Sequence, residues 1–150
     1  MQKSLIALAL VVVGVLVTLN IDPNQSYLRV NTDKPATVPY VDIAKYGGAW
    51  YEQSVIPFYF ERGCSKTIAR YSLNSDGKSV KVDNSCVRNG KLVESVGKAI
   101  PEDSTNAKLK VEFVTTLDIG AQYWIVRLGS NYEYSVVSSP DYKYLWILYR

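Results

Sequence analysis

Ala69-Arg70-Tyr71-Ser72-Leu73-Asn74-Ser75-Asp76-Gly77-Lys78-Ser79-Val80-Lys81-Val82-Asp83 reads as two strands and the turn that joins them. Ala69, Tyr71 and Leu73 alternate with Arg70 and Ser72, and Val80 and Val82 alternate with Lys81 and Asp83. A period of two places the apolar set on one face of a strand and the polar set on the other. Asp-Gly between the runs supplies the backbone freedom that a tight reversal needs. The pattern recurs at Leu109, Val111 and Phe113 against Lys108, Lys110 and Glu112. Working outward, turn signals at Asn89-Gly90, 101–106, 129–131 and Pro140-Asp141 divide the chain into eight predicted strands: 49–56, 65–73, 79–87, 91–99, 107–115, 122–128, 133–138 and 144–149. No long amphipathic helix interrupts them. Short connections make neighbours in sequence neighbours in space, so the fold class expected is all-β, an eight-stranded up-and-down antiparallel β-barrel. Closing the sheet removes its edges, and eight strands enclose room for side chains or one small ligand. An open meander or a sandwich is the rival architecture.

The 150 residues suit one domain with a short appendage, and 47% hydrophobic with 21% charged residues is an ordinary globular composition. A net charge of +3, without a block of Lys or Arg, argues against nucleic acid as partner. The chain has no histidine. That removes imidazole metal ligands, histidine-activated nucleophiles and a histidine-ligated haem, so neither a metal nor a cofactor is expected.

Residues 1–21 are a composition of their own. Leu5 to Leu19 is apolar except for Thr18, longer than most signal-peptide cores and shorter than a comfortable membrane span. It is expected to be a signal peptide or an uncleaved N-terminal membrane anchor, and either takes the remainder across a membrane. The membrane contact would then run through residues 5–19, with the domain secreted, periplasmic or anchored outside the cytoplasm. Residues 22–39 carry Pro23, Pro35 and Pro39 without periodicity and read as an extended linker. Asn24-Gln25-Ser26 forms a glycosylation acceptor that matters only in a glycosylating host. The barrel domain is expected over 40–150.

Asp42-Ile43-Ala44-Lys45-Tyr46-Gly47-Gly48-Ala49-Trp50-Tyr51-Glu52 resembles the opening signature of the lipocalins, and Tyr144-Leu145-Trp146-Ile147-Leu148-Tyr149-Arg150 resembles their last common block. Between these, Tyr71-Ser72-Leu73, Asp76-Gly77, Val80-x-Val82-x-Asn84-x-Cys86, Gly97-Lys98-Ala99 and Tyr123-Trp124-Ile125-Val126 are similar, in order and spacing, to the bacterial lipocalin and apolipoprotein D-like branch. The resemblance covers about residues 37–150. It implies a calyx whose floor is closed by Gly48, Trp50 and Arg150, the arginine packing over the tryptophan. Lipocalins continue past this arginine into a helix that packs on the barrel; the sequence stops at Arg150, which leaves closure of one side in question. Physically, Gly47-Gly48 lets the chain turn from a short helical segment capped by Asp42 into the first strand.

Alternation from Trp50, taken with the resemblance, predicts an interior that mixes bulky with small residues. The candidate ligand-binding set is Ser54, Ala69, Asn84, Ser95, Gly97, Ala99, Val111, Phe113, Tyr123 and Trp146. Small residues such as Gly97 and Ala99 predict unfilled volume, suiting an apolar ligand oriented by one polar end. The function expected is binding, storage or transport of a small hydrophobic ligand, such as a fatty acid or lysophospholipid, near a membrane. A lipocalin-type enzyme acting on a bound lipid or isoprenoid is the alternative, disfavoured by the absence of histidine and of paired inward carboxylates. No catalytic residue is assigned. The stretch Val55 to Phe60 should lie over the mouth as a lid, a ligand contact, a membrane-interface toe or packing against the rim.

Cys64 and Cys86 are the only cysteines, and behind an exporting leader pairing is the default. With Leu73 opposite Val80, Cys86 falls near Thr67, so a Cys64–Cys86 bridge needs a bulge; two free thiols are the other reading. Strand parity also places Arg127 inward with Tyr123 and Ile125. It would then pair with Glu52, unless a bulge at Leu128-Gly129 turns it outward.

Overall fold

The computed structural model describes residues 8–12, 15–19, 33–113 and 120–150. They fall in two units, Met1–Thr32 and Asp33–Arg150. In the first, β1 (Leu8–Val12) and β2 (Val15–Leu19) pair antiparallel, with Leu8 opposite Leu19 and Val12 opposite Val15. Val and Thr make up half of the two segments, and β-branched residues favour strands. Among the described residues no helix is long and apolar enough to cross a membrane. The rest of the expected leader, residues 22–32 of the expected linker and the Asn24 acceptor lie outside the described residues.

The second unit begins with an extended segment and α1 (Ile43–Tyr46). Eight strands follow: β3 (Gly48–Ile56), β4 (Cys64–Leu73), β5 (Val80–Arg88), β6 (Lys91–Pro101), β7 (Lys108–Phe113), β8 (Gly120–Leu128), β9 (Tyr134–Ser138) and β10 (Leu145–Tyr149). Each pairs antiparallel with the next, and β10 returns to β3, so the barrel is closed. The side left in question by the last strand is therefore sealed by Leu145–Tyr149 pairing with both β3 and β9. The eight strands lie where alternation predicts them, with the two final positions expected of the fifth, 114–115, outside the described residues.

Proline-rich composition predicts a tether through residue 39, but 33–39 belongs to the barrel unit. Pro35 is buried, the Val38 amide donates to the Ile125 carbonyl at 2.9 Å, and Lys34 Nζ stands 5.7 Å from the centre of the Trp124 ring. A chain without periodicity can still be fixed by its backbone amides and by one cation over a ring.

Three bulges interrupt the regular alternation. Gln53 is the extra residue of β3, because Ser54 faces Ile147 while Glu52 faces Leu148. Lys66-Thr67 opposes Cys86, with Lys66 at φ 53°. Val126 is the extra residue of β8, where Ile125 faces Val137 and Arg127 faces Val136. A bulge turns every later side chain of its strand to the other face. The core packs around Trp50, Val82, Ile125 and Val137, all essentially excluded from solvent.

Candidate functional site

The antiparallel order gives the barrel two unlike ends. At one lie α1 and the β4–β5, β6–β7 and β8–β9 connections; at the other lie the β3–β4, β5–β6 and β9–β10 connections. The first end is the floor. Asp42 Oδ1 accepts the amides of Ala44 (3.0 Å) and Lys45 (3.2 Å), which starts α1, and Gly48 takes φ 104°, open to glycine and strained for other residues. Trp50 is 0% exposed and donates its indole N–H to the Tyr46 carbonyl at 2.8 Å. The guanidinium carbon of Arg150 stands 4.2 Å from the Trp50 ring centre. Its Nη2 donates to the carbonyls of Lys45, Tyr46 and Gly47 at 2.8, 2.8 and 2.7 Å. One side chain thus covers the plug and satisfies the carbonyls at the end of α1.

Above the plug, three tyrosines meet. Tyr71 donates to the Tyr123 hydroxyl at 3.1 Å, Tyr123 and Tyr46 share a 2.8 Å bond, and Tyr46 reaches Ser135 Oγ at 2.9 Å. Burial pushes Tyr46 up to about 12, against the lowering pull of Ser135, Tyr123 and Arg150, and raises Tyr71 and Tyr123 as well. All three hydroxyls stay neutral and form a polar layer across the barrel.

Two spaces adjoin this layer. The floor-side one is about 20 Å³ and is lined by Ile43, Tyr46, Tyr71, Val80, Ala99, Leu109, Val111 and Tyr123. The mouth-side cavity is about 50 Å³, lined by Ala69, Tyr71, Val82, Val111, Phe113, Ala121, Tyr123, Trp146 and Leu148, with Glu52, Phe58, Glu61, Thr67, Asn84 and Gln122. Phe58 precedes the 3-10 turn Tyr59–Glu61 in the β3–β4 connection, and its ring packs on Tyr144 at 4.5 Å. The mouth loop therefore lines the cavity and packs on the rim through Phe58, whereas Tyr59 is exposed.

Two carboxylates occupy this apolar cavity. Glu61 accepts the Phe58 amide at 2.9 Å and the Trp146 indole N–H at 3.2 Å to both oxygens. Burial raises its pKa, and these bonds oppose the rise. Glu52 is raised by burial first and by the negative charge of Glu61 second, partly offset by the Thr67 hydroxyl. Neither carboxylate makes an ion pair among the described residues. The expected absence of paired inward carboxylates is thus corrected, since the second one arrives from a loop to which strand parity does not apply. Its signal was a lone acid three residues after Phe58, within reach of that residue's own amide.

Of the ten residues expected to line a ligand space, Ala69, Asn84, Val111, Phe113, Tyr123 and Trp146 line the mouth-side cavity, and Ala99, Val111 and Tyr123 line the smaller one. Ser54, Ser95 and Gly97 line neither. The Gln53 bulge turns Ser54 out beside exposed Ile147. Ser95 pairs with Asn84 but is exposed. At Gly97 an added Cβ would lie 2.9 Å from the Glu112 carbonyl and 3.0 Å from the Phe113 ring. Glycine there makes room for Phe113 to lie across the strand, so the volume expected at Gly97 is filled by that ring.

The Glu52–Arg127 pair does not form. The bulge falls at Val126 instead of Leu128-Gly129, and Arg127 is exposed, donating Nη1 to the Val126 carbonyl at 2.7 Å. Turning outward spares the cost of a buried guanidinium. Cys64 and Cys86 form a disulfide with Cα atoms 5.5 Å apart, made reachable by the Lys66-Thr67 bulge. That leaves no free thiol among the described residues and sets aside the reading of two free thiols.

Comparison with known proteins agrees with this geometry. Residues 41–150 match the Lipocalin-like domain family. Outer membrane lipoprotein Blc of Escherichia coli (strain K12) is 38% identical over 112 residues, 73% of this chain and 62% of that protein. Apolipoprotein D of Bos taurus is 38% identical over 100 residues, 65% of this chain and 51% of that one. The chain thus spans between half and two thirds of the length of these curated relatives. Among solved structures, insecticyanin from the tobacco hornworm Manduca sexta superposes with a TM-score of 0.63 at 25% identity, covering 78% of this chain and 66% of that one. With its closed eight-stranded meander, its plugged floor and a family match running from Val41 to its last residue, this chain belongs to the lipocalin family.

Proposed function

We propose that the barrel binds a small hydrophobic ligand of lipid type in the mouth-side cavity, outside the cytoplasm, and that it acts as a carrier and not as an enzyme. The observation that carries this reading is the cavity itself, a space at the mouth walled largely by aromatic and aliphatic side chains above a satisfied polar layer. Buried space of that kind costs packing energy, which a protein keeps where a ligand fills it. At about 50 Å³ the cavity holds a few water molecules. Small-molecule sites run to roughly 300–1,000 Å³. Loading therefore requires Phe58 and Glu61, both on the short mouth turn, to swing away from Tyr144 and Trp146. The disulfide supports an oxidising compartment. So do the relatives, one of them by name an outer membrane lipoprotein. The apolar run at 5–19 is proposed to hold the chain to the membrane or to direct its export.

Native mass spectrometry of protein purified without detergent tests the reading. A co-purified lipid-sized mass, released by organic solvent, is expected. Apo protein that takes up no lipid from added vesicles would contradict it.

A further inference from the structure

The cavity has an unusual donor and acceptor balance. Its tyrosine hydroxyls are bonded to one another and to Ser135: Tyr71 donates to Tyr123, Tyr123 shares a bond with Tyr46, and Tyr46 shares one with Ser135. The Trp146 indole N–H is taken by Glu61, and Gln122 turns both ends of its amide away, to Glu102 at 3.0 Å and to the Trp124 indole at 2.9 Å. Thr67 Oγ1, buried and without a hydrogen-bond partner, and the Asn84 amide can still donate, but every charged group in the described lining is an acceptor. Glu52 and Glu61 bring two carboxylates, and the lining contains neither Lys nor Arg to balance them. Asn84 adds a side-chain oxygen, Oδ1, that is fully buried and has no hydrogen-bond partner. A buried, unpaired acceptor costs on the order of 1–3 kcal/mol, and a donor from outside would recover it. Uncompensated negative charge in a low-dielectric cavity acts in the same direction: it repels an anion and attracts a cation.

We propose that this cavity selects, among apolar molecules, those whose polar end donates hydrogen bonds, foremost a protonated long-chain or aromatic amine, and that it rejects a free carboxylate such as an ionised fatty acid. This rests on reading the cavity as the ligand site and narrows the class of ligand it takes. The ammonium would sit among Glu52, Glu61 and Asn84 Oδ1, and the apolar body would run between Phe58, Tyr123 and Trp146. The recognition is by charge-assisted hydrogen bonds, which are roughly twice as strong as neutral ones. An ionised fatty acid would find no Lys or Arg in the described lining to receive its carboxylate.

The test is calorimetric titration of the full, disulfide-bonded chain near neutral pH with three probes of one chain length: decylamine, decanol and decanoate. Decylamine is expected to bind at least about tenfold tighter than decanoate, with decanol between them. In Glu52→Gln and in Glu61→Gln the advantage of the amine over decanol should shrink about threefold or be lost. Equal affinities, or decanoate as the tightest probe, would overturn the selectivity and leave the carrier reading standing. Failure of all three to bind would overturn both. The wild-type series decides the matter even where a variant folds poorly.

Discussion

The floor and the mouth of this barrel solve opposite problems with the same residue types. At the floor, Trp50 is fully enclosed and its indole N–H has a carbonyl, while the charge of Arg150 has three carbonyls and a ring face. At the mouth, Trp146 is only half-buried, and its indole is bound to a carboxylate that makes no ion pair among the described residues. Polar groups with complete partners fix one structure, whereas acceptors left over are a cost that a ligand can remove. The contrast teaches that the floor supports stability and the mouth supports binding.

Breaking the floor should have the largest effect. Trp50→Ala removes the plug and strands the covering arginine, and should cost about 3–5 kcal/mol in urea unfolding. Cutting the brace beside the mouth comes next. The Cys64–Cys86 bridge closes a loop across a sequence separation of 22 residues. Replacing both cysteines by Ala should therefore cost about 3 kcal/mol in the chain-entropy model, read as a lower unfolding midpoint that reductant reproduces in the wild type. Arg150→Ala should cost about 1–2 kcal/mol, the loss of a ring contact and of hydrogen bonds made by a charged group at the surface. Similar losses for Trp50→Ala and for Trp146→Ala would erase the distinction between the two ends.

The smallest effect should have the opposite sign. Raised carboxyls at Glu52 and Glu61 bind protons more tightly in the folded chain than in the unfolded one. Their contribution is unfavourable at neutral pH, and it is relieved as pH falls through their folded values toward the unfolded value of about 4.3. Glu52→Gln should hence melt slightly above the wild type at about pH 7, with the gap closing at about pH 4.5. Asp76 and Asp141 behave in reverse. Ser79 with the Lys78 amide, and Lys143 with Ser139, hold them at about 2. The stability they add is present above their unfolded value of about 3.9 and is lost as pH falls toward 2. A variant gap at Glu52 that widens on acidification would contradict the assignment.

What the sequence made legible follows the same division. Alternation and turn residues disclose the eight strands, and Leu73 does face Val80, because period-two burial and a tight Asp-Gly turn are local properties. Residues that fell on uninterrupted parity, such as Ala69, Val111 and Tyr123, line the interior as expected. The misplacements are of other kinds. Ser54 and Arg127 follow bulges at Gln53 and Val126, and a bulge leaves no mark in a strand whose composition stays regular. Gly97 misled for another reason, since a missing side chain is read as space until a neighbour such as Phe113 is known to fill it. Glu61 was out of reach of any periodicity, because its position depends on how a short loop folds back over the mouth.

The central claim is that ligand enters at the mouth and leaves the floor untouched, and the three indoles report on it together. Trp50 marks the floor, Trp124 the outer wall between Lys34 and Lys108, and Trp146 the cavity. In a two-dimensional proton–nitrogen spectrum of the wild-type chain titrated with decanol, the Trp146 indole resonance should shift in a saturable way, because its bond to Glu61 must rearrange, while those of Trp50 and Trp124 stay in place. A Trp146 resonance that does not move, or a saturable shift confined to Trp50 or Trp124, would contradict the account.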